Sequence, residues 1–218
     1  MSAGLEARWA AVAADAGLAP SPDLAAAGRD LLARYREAGR HYHDGGHLLA
    51  VLRALDELAA PGSPSAALRL AAWYHDAVYD PTAAAGDNER RSAELAERGL
   101  ARLGVAAPLV ADVASLVRAT ATHRLDGIGA PLVAEAALFL DADLAVLGGT
   151  AAEYDRYADG IRREYGHLDE ATYRAGRAAV LQRFAERDRL YLSAAGVARF
   201  ESAARANLDR ELAALRGS

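Results

Sequence analysis

Between the turn PGSPS and Pro81 runs AALRLAAWYHDAVYD (residues 66–80), a segment apolar on nearly every helical face that ends by placing a histidine beside an aspartate. A helix without a polar stripe must be enclosed by other elements. The spacing therefore predicts a buried central helix with His75 and Asp76 in its last turns. A buried imidazole and carboxylate are costly unless paired or bound to a cation, and a divalent metal meets both costs at once. The pair alone is weak evidence, because a buried His-Asp hydrogen bond is an adequate structural explanation.

The rest of the chain supplies helices to cover that segment. Leu24, Leu31, Leu32 and Tyr35 recur at helical spacing over 23–38, after a Ser-Pro start at Ser21. Asp44 precedes two glycines and a stripe of Leu48, Leu52, Leu55 and Leu58 that ends at Pro61, which puts His47 near a helix N-terminus. Asp87 or Asn88 can cap ERRSAELAERGLARLG, which stops at Gly104. Pro108 opens a helix to about His123, and LVAEAALFLDADLAVLGG places acidic residues in apolar surroundings. Three more helical segments span roughly 151–165, 170–187 and 197–215. Alternating β patterns and repeats are absent, so the expectation is all-α.

Composition narrows the chemistry. The chain has no cysteine, which excludes disulfides, thiolate ligands and cysteine nucleophiles, so any metal sits on His and carboxylate. It has no lysine either, which excludes a Schiff base. A net charge of -5 gives no broad attraction to nucleic acid. No apolar run reaches the roughly 18 residues of a membrane span, and acidic residues interrupt the N-terminal MSAGLEARWAAVAADAGLAP. The expectation is a cytoplasmic protein without a membrane partner. No GxxxxGK[ST] loop or GxSxG elbow occurs, so a bound nucleotide would be held by metal and arginine.

His47 lies 28 positions before His75, at the head of the preceding helix, and antiparallel helices can bring the two together. An Asp-Ala-Asp, 141–143, follows in a later apolar helix. With these residues the sequence resembles the HD-domain superfamily, metal-dependent phosphohydrolases whose ligands are a His, then His-Asp, then a distant Asp. The runs YHDGGH, AWYHDAVYD, DNERRSAELA, ATATH, FLDADLAVLG, YADGIRREY and ARANL, in this order, resemble one branch described as predicted metal-dependent HD superfamily phosphohydrolases. The resemblance implies an HD-domain-like helical bundle with additional C-terminal helices: one domain over 1–218, with a metal-binding core about 40–150 and a C-terminal part about 150–215.

By that resemblance the ligands are His47, His75, Asp76 and one aspartate of the DAD, with Asp143 favoured by its Ala-Asp-x context and Asp141 competing. Residues two apart on a helix point about 200° from each other, so only one faces the metal. HD proteins that bind two metals carry further histidines in the interval where this chain has only His123, so the expectation is one divalent ion, Mn, Fe, Co, Ni, Zn or Mg. The same shortage argues against a two-iron oxygenase.

His123 is expected to face the site, binding phosphate or a bridging water, although a histidine at a helix C-terminus is also a favourable surface residue. Glu89 is a candidate general acid or base, or simply a helix N-terminal charge. Asp76 is the ligand best placed to help deprotonate water. Arg90 and Arg118, with Arg91, Arg162 and Arg163 as further options, are candidates to meet a phosphate bidentately. His43 is expected to orient a ligand or contact substrate, while His41 and His167 read as surface residues. Tyr154, Tyr157, Arg162, Glu164 and Tyr165 either close one side of the pocket or form a packing stripe.

The implied activity is hydrolysis of a phosphorylated small molecule, nucleotides being one class, through a metal-activated water. The alternative is a non-catalytic metal-dependent nucleotide-binding or regulatory HD protein. The alanine-rich helical surface is compatible with a homodimer.

Overall fold

A computed structural model describes residues 2–217. The elements are α1 (Ser2–Asp15), α2 (Pro22–Arg34), α3 (Gly45–Leu58), α4 (Ala66–Tyr74) and α5 (Asp87–Arg102). They continue with α6 (Ala107–Ala119), α7 (Val133–Asp143), α8 (Ala151–Glu164), α9 (Glu170–Ala185) and α10 (Ala194–Arg216). Short 3-10 turns, Ala130–Leu132 and Leu144–Gly148, flank α7. No strand occurs among the described residues, so the protein is all-α. No helix among them is long and apolar enough to cross a membrane.

The segment expected at the centre is there. Ala67, Leu68 and every residue from Leu70 to Tyr74 are buried, and α4 packs against α1, α3, α5, α6 and α7. Helix α1, which periodicity does not flag because alanines blur its stripe, closes one side with Leu5, Trp9, Val12 and Ala13. The Trp9 ring meets Trp73 edge-on, with centroids 5.3 Å apart, and its Nε1–H donates to Leu24 O at 2.9 Å. Gly28 admits that ring, since a Cβ there would lie 2.4 Å from Trp9 Cδ1.

Several helix ends differ from the periodicity, each for a local reason. Helix α4 stops at Tyr74, short of Asp76. Its last carbonyls are taken by side chains: Ala72 O accepts from His75 Nδ1 at 2.8 Å, and Trp73 O from the Tyr35 hydroxyl at 3.2 Å. Tyr35, whose ring is enclosed, ends α2 in doing so. Neither Asp87 nor Asn88 caps α5, which begins after Gly86 at φ 82°. Asn88 instead brackets Asp80, accepting its N–H at 3.1 Å and donating to its carbonyl at 2.9 Å. The turn after α4 is thereby pinned to α5, and Ser92 Oγ accepts from Val78 N at 3.0 Å as a second anchor.

Helix α10 begins at Ala194 rather than near 197, because Ser193 caps it, its Oγ accepting from Gly196 N at 2.9 Å. Ser193 is itself held by buried Asp141 of α7, which accepts from Leu192 N at 2.7 Å, Ser193 N at 2.8 Å and Ser193 Oγ at 2.6 Å. Gly196 lets the two helices approach, since a Cβ there would meet Asp141 Oδ2 at 2.2 Å. Further along, Asn207 Nδ2 donates to Leu147 O and Gly149 O, both at 2.9 Å, so α10 fixes the turn leaving α7 as well. One continuous apolar core runs from Leu5 to Leu212.

Asp141→Ala removes the acceptor of two part-buried backbone N–H groups and of the Ser193 hydroxyl, and should lower stability by about 2 kcal/mol. Denaturant titration checks this; a loss under about 1 kcal/mol would show that the Asp141 joint does not hold α10.

Candidate metal centre

Three helix ends converge on one point. His47 comes from the first turn of α3, where Asp44 caps the helix by accepting from Gly46 N at 2.7 Å and His47 N at 3.2 Å. His75 is the C-cap of α4, and Asp143 is the last residue of α7. His47 Nε2 lies 3.0 Å from His75 Nε2 and 3.1 Å from Asp143 Oδ1. His75 Nε2 lies 3.4 Å from the same oxygen. Asp76 Oδ2 completes the group at 3.0 Å from His75 Nε2 and 3.4 Å from His47 Nε2. The two histidines are 4% and 1% exposed at their side chains, so water cannot solvate these atoms from most directions.

The donor set fits a metal. The Ala72 carbonyl can only accept, so His75 Nδ1 carries a proton and, in the neutral ring, the lone pair sits at Nε2 and faces the cluster. Around that nitrogen stand another imidazole nitrogen and two carboxylate oxygens, an arrangement balanced either by protons on the imidazoles or by a cation in the middle. Bonds of about 2.1 Å place ligand atoms about 3.0 Å apart at right angles and about 3.4 Å apart at the tetrahedral angle. The five separations that involve a histidine nitrogen run from 3.0 to 3.4 Å. His47, His75 and Asp143 can thus hold a metal ion, with ligating atoms within 4.8 Å of one another.

The electrostatics agree. Burial opposes charge on every member, and pairing outweighs it. The nearby histidines hold Asp76 and Asp143 well below the ordinary carboxylate range. The carboxylates lift His47 and His75 above the ordinary imidazole range. Of the two aspartates in the DAD, Asp143 faces the histidines, while Asp141 points to the 192–193 loop. Asp143 Oδ2 is steadied by His123 Nε2 at 2.9 Å. His123 reaches it from a turn beyond α6 in the left-handed region, φ 49°, with its carbonyl fixed by Arg187 at 3.1 Å.

Arg40, for which the sequence gives no signal, and Glu164, from the late segment expected to close the pocket or pack, hold the loops around the centre. Buried Arg40 donates from Nη1 to His43 O at 3.0 Å and Asp76 O at 2.7 Å, stapling the 40–43 loop to the turn that carries Asp76. Glu164, at the end of α8, accepts three consecutive backbone N–H groups of His41, Tyr42 and His43 on Oε1 at 2.7–2.9 Å. Its Oε2 meets His43 Nδ1 at 2.7 Å and the Tyr79 hydroxyl at 2.9 Å. His43 stacks on Tyr79 with centroids 4.2 Å apart, and Tyr42 packs on His47 at 4.7 Å. The late segment therefore both closes the pocket and packs, since Tyr157 touches Tyr42 and Tyr154.

Two cavities open onto the centre, with Tyr157 lining both. One, of about 550 Å3, reaches His47 and Asp143 between α3 and α8. The other, of about 420 Å3, reaches Asp76 and His43 and includes Glu89. The remaining candidates are placed elsewhere. Arg90 is exposed and bound to Asp87 and Glu94, Arg118 is exposed and bound to Glu97, and neither lines a cavity that reaches the cluster. Arg162 is engaged with Glu170, and Arg91 and Arg163 are exposed. His167 is exposed as expected; His41 is exposed too but lines the larger cavity.

The chain matches no family model, and no curated protein or solved structure is significantly similar to it.

Burial raises the Glu164 pKa, but His43 and the backbone donors outweigh it and bring it from the ordinary 4.5 to about 2. Because the folded value lies below the unfolded one, this stabilisation is complete above about pH 4.5 and is lost as pH falls through about 2. It amounts to about 3 kcal/mol at neutral pH. Glu164→Gln should cost roughly that much at pH 7, and the gap from wild type should narrow by about 2 kcal/mol at pH 3. Denaturant midpoints at the two pH values measure it; a gap independent of pH would contradict the assignment.

Proposed function

We propose that this chain is a metal-dependent phosphohydrolase of HD-domain type, holding one divalent ion on His47, His75, Asp76 and Asp143 and acting on a phosphorylated small molecule, nucleotides being one class. The observation that carries the reading is the approach of two imidazole nitrogens to each other and to a carboxylate oxygen each of Asp76 and Asp143 at 3.0–3.4 Å, with the His75 Nδ1 proton held on the Ala72 carbonyl so that Nε2 faces the cluster. When bound, the ion supplies Lewis-acid polarisation of a phosphoryl oxygen and acidifies a water toward neutrality.

The chain's own groups would then divide the work. Asp76 lines the smaller cavity, and its Oδ1 has no partner among the described residues, so that oxygen takes the proton of the attacking water. Glu89 lines the same cavity from α5 and donates a proton to the leaving oxygen. His123 holds Asp143 in its ligating orientation, and such outer partners tune a site strongly. His43, fixed by Glu164, borders the smaller cavity, where it contacts substrate. The tyrosine walls exclude water from the far side.

Protein stripped with chelator and reloaded with Mn, Co, Ni, Mg or Zn should bind one ion per chain by calorimetry and release phosphate from part of a broad phosphoester and nucleotide panel. His75→Ala should lose metal binding and at least about 100-fold in kcat/KM. Glu89→Gln should keep metal affinity and lose about 10-fold or more in kcat. Full activity in His75→Ala would overturn the reading, and nucleotide binding without turnover would replace it with a regulatory role.

A further inference from the structure

The two cavities differ in the charge they leave open. In the larger one, Ala50 and Ala54 keep one face of α3 clear, and Arg53 rises between them; Arg156 stands on the α8 wall. Both arginines are exposed, and neither has a salt bridge or hydrogen bond among the described residues; Arg156 lies only in the field of Glu153. The carboxylates of this cavity are already engaged. Asp44 caps α3, Glu57 pairs with Arg199, and Glu153 Oε2 accepts from Thr150 N at 2.8 Å and Thr150 Oγ1 at 2.7 Å. Asp143 belongs to the metal centre. The larger cavity therefore presents two uncommitted guanidinium groups on facing helices, beside the atoms that would hold a cation.

The smaller cavity has the opposite balance. Its arginine, Arg177, is buried and spent on Glu211, at 2.8 Å from Nε and 3.0 Å from Nη2, and on the Tyr157 hydroxyl at 2.9 Å. Asp76, Asp80 and Glu89 line the same space, with Tyr79, Tyr165 and other apolar walls. With Asp80 held by Thr82 and Asp76 in the metal centre, Glu89 is the carboxylate left open there and no uncommitted arginine lines the space, so a neutral group is accepted more readily than an anionic one.

From this asymmetry we infer that the substrate carries a second phosphate group, which Arg53 and Arg156 bind in the cavity between α3 and α8 while the first sits at the metal centre. The inference rests on the phosphohydrolase reading above and narrows it to phosphoanhydrides and compounds phosphorylated twice. Guanidinium groups suit this role because their planar donors meet phosphate oxygens bidentately. The neutral part of the substrate extends into the tyrosine-lined cavity.

Calorimetry with inorganic phosphate, pyrophosphate and tripolyphosphate on metal-loaded and metal-free protein tests it, comparing wild type with the Arg53→Ala/Arg156→Ala double variant and with Arg183→Ala as an exposed control. Wild type and the control should bind pyrophosphate at least about 10-fold more tightly than phosphate, and the double variant should bring the two within about 2-fold, with phosphate affinity and metal content unchanged. A wild type without that preference, or a preference that survives in the double variant, overturns the inference. The latter result would mean that pyrophosphate is simply chelating the metal. Failure of the broader reading looks different: the chain would take up no metal, while a pyrophosphate preference dependent on the two arginines would persist in metal-free protein.

Discussion

The hydrogen bond from His75 Nδ1 to the Ala72 carbonyl, 2.8 Å long and wholly buried, decides the character of the centre. By fixing the proton on one ring nitrogen it leaves the other as a lone pair aimed at a second histidine and two carboxylates. It also consumes a carbonyl that a longer helix would have used, and so helps to end α4 where the chain must turn toward α5. The same bond thus terminates a helix and turns Nε2 toward a group that could hold a metal ion. It can do both only because α4 is enclosed by five other helices, where no water competes for the ring.

Around this point the structure spends ionic groups on backbone rather than on each other. Arg40 gathers carbonyls of His43, Asp76 and Ala77, and Glu164 gathers the N–H groups of 41–43. One supplies donors to the turn after α4 and the other supplies acceptors to the loop before α3, so both segments are held at fixed distance from the cluster. Asp141 does the equivalent for α10. Both oxygens of Glu164 and of Asp141 and both terminal nitrogens of Arg40 are satisfied in this way, although Arg40 Nε is buried without a partner among the described residues. Such pairing is the condition under which charges can be kept in an interior.

The asymmetry of the two cavities follows from this allocation. Arg177 is committed to Glu211 and Tyr157 in support of the α8–α9–α10 packing, which leaves the smaller cavity with tyrosines and carboxylates. On the other side, capping and the Arg199 pair occupy the carboxylates, and the arginines remain available. A site with uncommitted guanidinium groups in one cavity and none in the other has a direction, and that direction is what the proposed substrate would follow.

Much of this was readable from the sequence. The strongly apolar stretch before His75, interrupted only by Arg69, required a buried helix, the absence of cysteine restricted any metal to His and carboxylate, and the leucine periodicities located most helices. The position of His47 at a helix start was readable from Asp44 and the two glycines, because capping is a local interaction. The division of labour between Asp141 and Asp143 was not. Helical geometry showed that the two point apart, but only the packing of α10 determines which one meets a pair of backbone N–H groups and which one meets histidines. Arg40, Arg53 and Arg156 were equally hidden among many arginines, as were the backbone partners of Glu164 and the surface commitments of Arg90 and Arg118. Local pattern determines what a residue can do next to its sequence neighbours; whether a charge is buried, spent or free depends on partners far away along the chain, and only the tertiary structure brings those partners within a few ångströms.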